Sequence, residues 1–134
     1  MIYVDGAQKS GSGTIVRFAV GLATLLCEEL HLTNIRAKRE KSGLRPQHLK
    51  AIQVVQQTCR GSLDGGGIGS EEIRFRPGGE IKSGSYEWNI GTAGSTTLLA
   101  ITLLPVVCFS TGAVSLKISG GMLFSSENVA LIVQ

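Results

Sequence analysis

Apolar positions fall into short runs separated by glycine, and their period changes along the chain. Met1–Asp5 alternates and predicts a short strand ending at Asp5-Gly6. Lys9-Ser10-Gly11-Ser12-Gly13 is a glycine–serine turn, with Ser12 or Thr14 placed to cap the next helix. From Thr14 to Leu30, Ile15, Phe18, Val20, Leu22, Leu25, Leu26 and Leu30 cover a wide face, which predicts a largely buried helix. His31–Ala37 reads as a second strand. Pro46 suits the first position of a second helix, where Leu49, Ile52, Val55 and Cys59 recur at helical spacing through Pro46–Arg60. Gly61 ends it. Ser62–Asp64 and Ile68–Phe75 then read as two strands on either side of Gly65-Gly66-Gly67.

The order β-α-β-α-β-β then starts again near Pro77-Gly78-Gly79. Glu80–Ile90 predicts a strand, Gly91–Gly94 a turn, Ser95–Phe109 an apolar helix and Ala113–Ser119 a strand. Ser125–Gln134 is expected to begin another helix. A shift of 81 residues lays Gly13 on Gly94, Ala19 on Ala100, Leu22 on Leu103 and Cys27 on Cys108. With the matched order of elements, this predicts an internal repeat. The expected division is a complete unit over residues 1–78 and an incomplete one over 79–134. The second unit lacks its second helix and last two strands, so the sequence reads as part of a longer protein.

Composition narrows the class. The 134 residues are enough for a real core, and 43% hydrophobic against 17% charged residues excludes a disordered chain. Cys27, Cys59 and Cys108 include no C-x-x-C pair, which argues against a zinc site, and their odd number argues against a disulfide framework. The expectation is a reduced cytoplasmic protein (nuclear in a eukaryote) with buried thiols. No signal peptide opens the sequence. Residues 98–109 form an apolar run broken by Pro105, too short to span a bilayer.

Charge changes the picture at one place. The formal net charge is only +3, yet Arg36, Lys38, Arg39, Lys41, Arg45 and Lys50 make six of the 13 Lys and Arg residues. A local basic patch on a near-neutral body suits a phosphate-bearing partner. Arg forks match phosphate oxygens in two-point contacts, and a helix starting at Pro46 offers free N–H groups to an anion. The plain alternative is a solvated loop leading into a helix. His48 is open to several roles: acid, base, ligand or capping-turn hydrogen bonder. Gly11-Ser12-Gly13 precedes a helix with Arg17 one turn in, but it is neither a Walker A sequence nor a full dinucleotide fingerprint. Arg17, on an otherwise apolar helix, either pairs with a carboxylate such as Asp5 or faces a ligand. Gly91-Thr92-Ala93-Gly94-Ser95 is the corresponding neutral loop, and Trp88 reads as strand packing.

Several blocks together resemble the RNA 3′-terminal phosphate cyclase family. They are Asp5-Gly6-Ala7-Gln8, Gly11-x-Gly13-x-Ile15-x-Arg17, and Ile35-Arg36-Ala37-x-Arg39-x-x-x-Gly43-Leu44-Arg45-Pro46-Gln47-His48-Leu49. Ile68-Gly69-Ser70, Phe75-x-Pro77-Gly78 and Gly91-Thr92-Ala93-Gly94-Ser95 extend the match, which runs to Gly121. The resemblance implies an α+β fold of repeated β-α-β-α-β-β units, like the C-terminal domain of a bacterial translation initiation factor, with helices packed on a four-stranded sheet. It implies ATP-dependent conversion of an RNA 3′-phosphate to a 2′,3′-cyclic phosphate through a histidine–AMP intermediate, with ATP and a divalent metal (Mg or Mn) as cofactors.

By motif, Arg17, Arg36, Arg39, Gln47 and His48, with Arg45 beside them, are expected around the phosphates and RNA. The family's nucleophilic histidine falls beyond Gln134, so no catalytic nucleophile and no metal ligand are expected within these residues. Where the family carries a Glu and a Gln in the first glycine loop, Ser10 and Thr14 stand here, and Ile101 replaces a nucleotide-contacting Gln. Met122 stands in place of the usual Thr. The expected partners are RNA 3′ ends and either a second copy or a missing C-terminal part, with no membrane. A non-catalytic, cyclase-like RNA-binding module is the alternative.

Overall fold

A computed structural model describes residues 1–9, 11–79, 81–91, 96–122 and 125–133. Ser10 and most of the second glycine loop (92–95) lie outside the described residues. The elements are β1 (Ile2–Asp5), α1 (Thr14–Leu26), β2 (Leu30–Thr33), α2 (Pro46–Cys59), β3 (Ser62–Asp64), β4 (Ile73–Arg76), β5 (Gly84–Gly91), α3 (Thr96–Val107), β6 (Val114–Met122) and β7 (Ser125–Val133). Three helices pack with strands in an α+β fold.

The first sheet has the order β1-β2-β4-β3. The pair β1–β2 is parallel, while β4 runs antiparallel to both β2 and β3. The second sheet has the order β5-β6-β7, with β5–β6 parallel and β6–β7 antiparallel. Topologically, β5, β6 and β7 repeat β1, β2 and β4. The expected C-terminal helix is therefore a strand, and the second sheet gains a third member that the sequence pattern does not predict. Val129, Ile132 and Val133 are β-branched, and a ladder from Val114↔Val133 to Met122↔Ser125 absorbs the backbone groups of the segment.

The first helix ends early. Cys27 sits in the left-handed region (φ 53), and the Glu28 N–H returns to the Ala23 carbonyl, 3.0 Å away. Leu30 is thereby released to begin β2, fully buried. That strand stops at Thr33 rather than Ala37, because Asn34 (φ 52) and Arg36 (φ 51) are both left-handed and break the pleat. Likewise β4 begins at Ile73 and β5 at Gly84, later than their apolar patterns suggest.

The core joins both sheets to the helices. Leu30, Leu32, Ile35, Leu44, Ile52, Ile73, Phe75, Leu103, Leu116 and Ile118 are among its fully buried side chains. Burial of α1 is one-sided: Val16, Ala19, Val20 and Ala23 face the core, whereas Phe18, Leu22 and Leu26 are more than half exposed. On α3 the buried Thr96, Leu99, Ala100 and Leu103 follow at 80 residues, so burial repeats one residue short of the 81 that the identities suggest.

Cys59 is buried, but Cys27 and Cys108 are exposed, since both lie just past the last turn of a helix. Trp88 does pack, donating its indole N–H to Gln57 Oε1 at 2.6 Å and stacking on Tyr86. Among the described residues no helix is long and apolar enough to cross a membrane.

Candidate functional site

The basic loop is held at its two ends. Ile35 N–H donates to the Glu71 carbonyl (2.9 Å) and Gly43 N–H to the Ile35 carbonyl (2.9 Å). Leu44 N–H donates to the Ser70 carbonyl (2.9 Å), and Gly69 N–H donates back to the Leu44 carbonyl (2.7 Å). Ile35 and Leu44 are fully buried beneath these bonds. Gly43 has φ 80, and a Cβ there would lie 2.2 Å from the Gly69 carbonyl oxygen, so only glycine fits. Inside the loop, Arg36 Nη1 donates to the carbonyls of Lys41 (2.6 Å) and Gly43 (3.0 Å). One corner of that guanidinium closes the loop. Burial, then Arg39 and Arg45, lower the Arg36 pKa.

The loop runs straight into α2. Arg45 is the extended residue before the helix (φ −101, ψ 167) and Pro46 fills the first position. His48, at the third, is 2% exposed. Its Nδ1 accepts the Arg45 N–H at 3.2 Å, the task a Glu performs in a capping box. This bond assigns the ring proton to Nε2. Gln47 Nε2 lies 3.4 Å from His48 Nε2, and with the ring proton there a hydrogen bond between them requires the amide turned so that its oxygen accepts. On the other side stands Gly13, where a Cβ would fall 2.0 Å from Nε2. Burial, followed by Arg17, Arg36 and Arg45, pushes the His48 pKa down to about 4. The imidazole is neutral near pH 7.

Gly13 is also the residue before α1, so the first turns of two helices meet at one imidazole. Neither Ser12 nor Thr14 caps α1: Gly13 holds the cap position and makes no side-chain bond. The ring of His48 forbids a side chain there, and the Ile15 N–H of the first turn is taken up by the Ser12 carbonyl at 3.3 Å. Arg17 is half-buried in this first turn, and burial lowers its pKa. Asp5 is not its partner. The Asp5 carboxylate accepts from Ala7 N–H (2.9 Å) and Asn34 Nδ2 (3.2 Å), bonds that hold its pKa down. Among the described residues, none of the ion pairs involves Arg17, Arg36, Arg39 or Arg45.

The structure thus gathers Arg17, Arg36, Arg45 and His48, with Arg39 beside Arg36 and the exposed Gln47 on the same turn as His48. Thr14 is exposed at the start of α1. Ile101 lies on α3 in an apolar groove of about 280 Å³ shared with Phe18, Leu22 and Pro105, which Arg17 of the cluster also lines. Among the described residues, no three His, Cys, Asp or Glu side chains gather into a set able to hold a metal ion. Sequence reasoning misses the steric fit of Gly13 on His48 and of Gly43 on Gly69. Those glycines are visible as letters, but the contacts that need them join segments far apart in the chain.

Guanidinium groups outside every ion pair among the described residues share one place with a neutral imidazole, an arrangement able to neutralise and orient a multiply charged anion. The family model for RNA 3′-terminal phosphate cyclase matches residues 8–128. The RNA 3′-terminal phosphate cyclase of Staphylothermus marinus is 43% identical over 121 residues, 90% of this chain and 34% of that protein. The enzyme of the same description from Pyrococcus furiosus is 42% identical over 121 residues, 90% of this chain and 35% of that protein. The chain therefore spans about one third of the length of these curated relatives. Residues 8–128 contain Gly13, Gly43 and every arginine of the cluster, and the chain belongs to the RNA 3′-terminal phosphate cyclase family.

Proposed function

We propose that Arg17, Arg36, Arg39, Arg45 and Gln47 bind the terminal phosphate of an RNA 3′ end. His48 holds the two helix starts in register around it. The observation that carries this reading is the convergence of four arginines, none in an ion pair among the described residues, where the first turns of α1 and α2 meet. Two-point Arg contacts orient the phosphate and draw off its charge, which, once the phosphate carries AMP, favours attack by the neighbouring 2′-hydroxyl on phosphorus with breakage of the bond to AMP, which leaves. The buried, neutral His48 takes no proton in this scheme; its Nδ1 is occupied by Arg45 N–H.

In the family's reaction ATP supplies the adenylyl group that turns the 3′-phosphate into a leaving-group-bearing centre, passing through a histidine outside these 134 residues. The arginine cluster fits phosphate groups of either substrate. The metal is different: no three His, Cys, Asp or Glu side chains gather to hold it among the described residues. Binding of a 3′-phosphorylated RNA should be at least tenfold tighter than binding of the same RNA ending in a 3′-hydroxyl, and Arg39→Ala or Arg45→Ala should abolish the difference. Equal affinity of the unaltered protein for the two RNAs overturns the reading.

A second reading, a cyclase-like module that holds RNA ends without catalysis, is favoured by one position. Ile101, where the family has a nucleotide-contacting Gln, is half exposed in an apolar groove and offers no hydrogen bond. Incubation with labelled ATP, divalent metal and 3′-phosphate RNA, with the histidine-bearing C-terminal part of a family relative added, separates the two readings. Labelled protein together with cyclic phosphate supports the enzyme, and RNA binding without either supports the module.

A further inference from the structure

The segment Gly65-Gly66-Gly67-Ile68-Gly69 lies beside the arginine loop and has no part in the phosphate contacts. It is a ribbon of nearly bare backbone. Gly65 and Gly69 both have φ 83, which bends the ribbon back on itself, and Gly67 N–H closes onto the Gly65 carbonyl at 3.0 Å. One face is packed: a Cβ on Gly66 would meet Leu63 at 2.4 Å. Elsewhere it is open, for a Cβ on Gly67 or Gly69 would meet nothing within 4 Å. On this open stretch Ile68 is 55% exposed, an apolar side chain at the tip of a polar loop.

The position of the ribbon is fixed by the site. Gly69 N–H bonds the Leu44 carbonyl, Leu44 N–H bonds the Ser70 carbonyl, and Leu44 directly precedes Arg45. Gly43 packs its α-carbon against Gly69. The exposed Ile68 thus neighbours Gly69, whose bonded partner Leu44 directly precedes Arg45 of the cluster. A phosphate held by those arginines carries a ribose and a base on one side. A flat strip without side chains, with one branched aliphatic group standing up, suits the face of such a ring.

We propose that Gly67, Ile68 and Gly69 form the seat for the terminal nucleoside, ribose and base, of the RNA whose 3′-phosphate the arginines bind. This inference rests on the phosphate reading above. The contact is to ring faces and backbone, so it favours the presence of a nucleoside over a bare phosphate without selecting among the four bases.

Binding of three probes tests this: a 3′-phosphorylated RNA, the same RNA with an abasic terminal ribose, and the RNA with a 3′-hydroxyl. Ile68→Ala removes the apolar contact at an exposed site, and Gly67→Leu fills the open side without a backbone penalty. Each should weaken the 3′-phosphorylated RNA by about fivefold. Ile68→Ala should leave the abasic RNA unchanged. Equal weakening of intact and abasic RNA, or no weakening by either variant, overturns the seat. If the unaltered protein still prefers 3′-phosphate to 3′-hydroxyl when that happens, the phosphate reading survives and the seat alone falls. If it shows no such preference, both fall.

Discussion

At the scale of single residues, the site turns on one imidazole. His48 is sealed between Gly13 and the start of α2 with its Nδ1 engaged, so protonation would break the Arg45 N–H bond and place a cation among three others. The unfolded ring titrates at its ordinary 6.5 and the folded ring near 4, so protons favour the unfolded chain. The stabilising contribution is whole above pH 6.5 and is lost as the pH falls through 4, about 3 kcal/mol in all. His48→Gln keeps an acceptor for the Arg45 N–H but cannot titrate. The difference in unfolding free energy between His48→Gln and the unaltered protein should shift by about that amount in favour of the variant between pH 7 and 4, read from urea denaturation at each pH. A pH-independent difference would reject the assignment. The sequence shows His48 on a first helical turn and shows Gly13 before another. It cannot show that the two meet, because that contact is made by packing α1 on α2 and leaves no periodic trace.

At the scale of elements, the closure of the 35–45 loop on residues 69–71 decides the geometry of the arginines. The close approach of Gly43 to Gly69 makes this closure testable. Gly43→Ala combines an unfavourable φ with a 2.2 Å contact to a backbone oxygen, and should cost about 3 kcal/mol while weakening 3′-phosphate RNA. Gly67→Ala has neither problem and should lie within about 0.5 kcal/mol of the unaltered protein. Chemical denaturation of the two variants side by side reads the contrast. Pro46 and the spacing of Ile52, Val55 and Cys59 give α2 its place directly from sequence. The ends of α1 and β2 are hidden, since Cys27, Asn34 and Arg36 take left-handed backbone that their residue types do not advertise. The exposed stripe of α1 escapes notice for a related reason: its apolar residues surround the helix, and only the packing decides which side is covered.

At the scale of the whole molecule, a modest net charge conceals a concentrated one. Six of 13 cationic residues fall within residues 36–50, while the ion pairs among the described residues join Glu28, Glu29, Asp64, Glu72 and Glu87 to groups outside that stretch. Association with RNA should therefore weaken steeply with salt, each neutralised phosphate adding about 0.7 to the slope of log affinity against log salt for a single strand. Arg39→Ala, exposed and outside every ion pair among the described residues, should lower that slope by about one such step without changing stability. Fluorescence anisotropy from 50 to 300 mM salt measures it, and an unchanged slope places Arg39 away from the backbone. The doubling of the architecture is visible in sequence as a recurring order of elements. Its register is not, because four shared residues cannot distinguish a shift of 81 from the 80 that burial shows in the helices. The final strand is also unpredicted, since its pairing with β6 outweighs any order extrapolated from the first unit.

The bonds from Leu44 and Ile35 to Ser70 and Glu71 also have a consequence in time. The arginine loop leaves the ribosome some 30 residues ahead of the segment that shapes it, and β2 waits for a partner 45 positions away, from Leu30 to Phe75. A nascent chain therefore shows cations to passing polyanions before it has a binding geometry. The geometry proposed for an RNA end arrives only when β4 docks, so unspecific capture of the loop by polyanions competes with that docking.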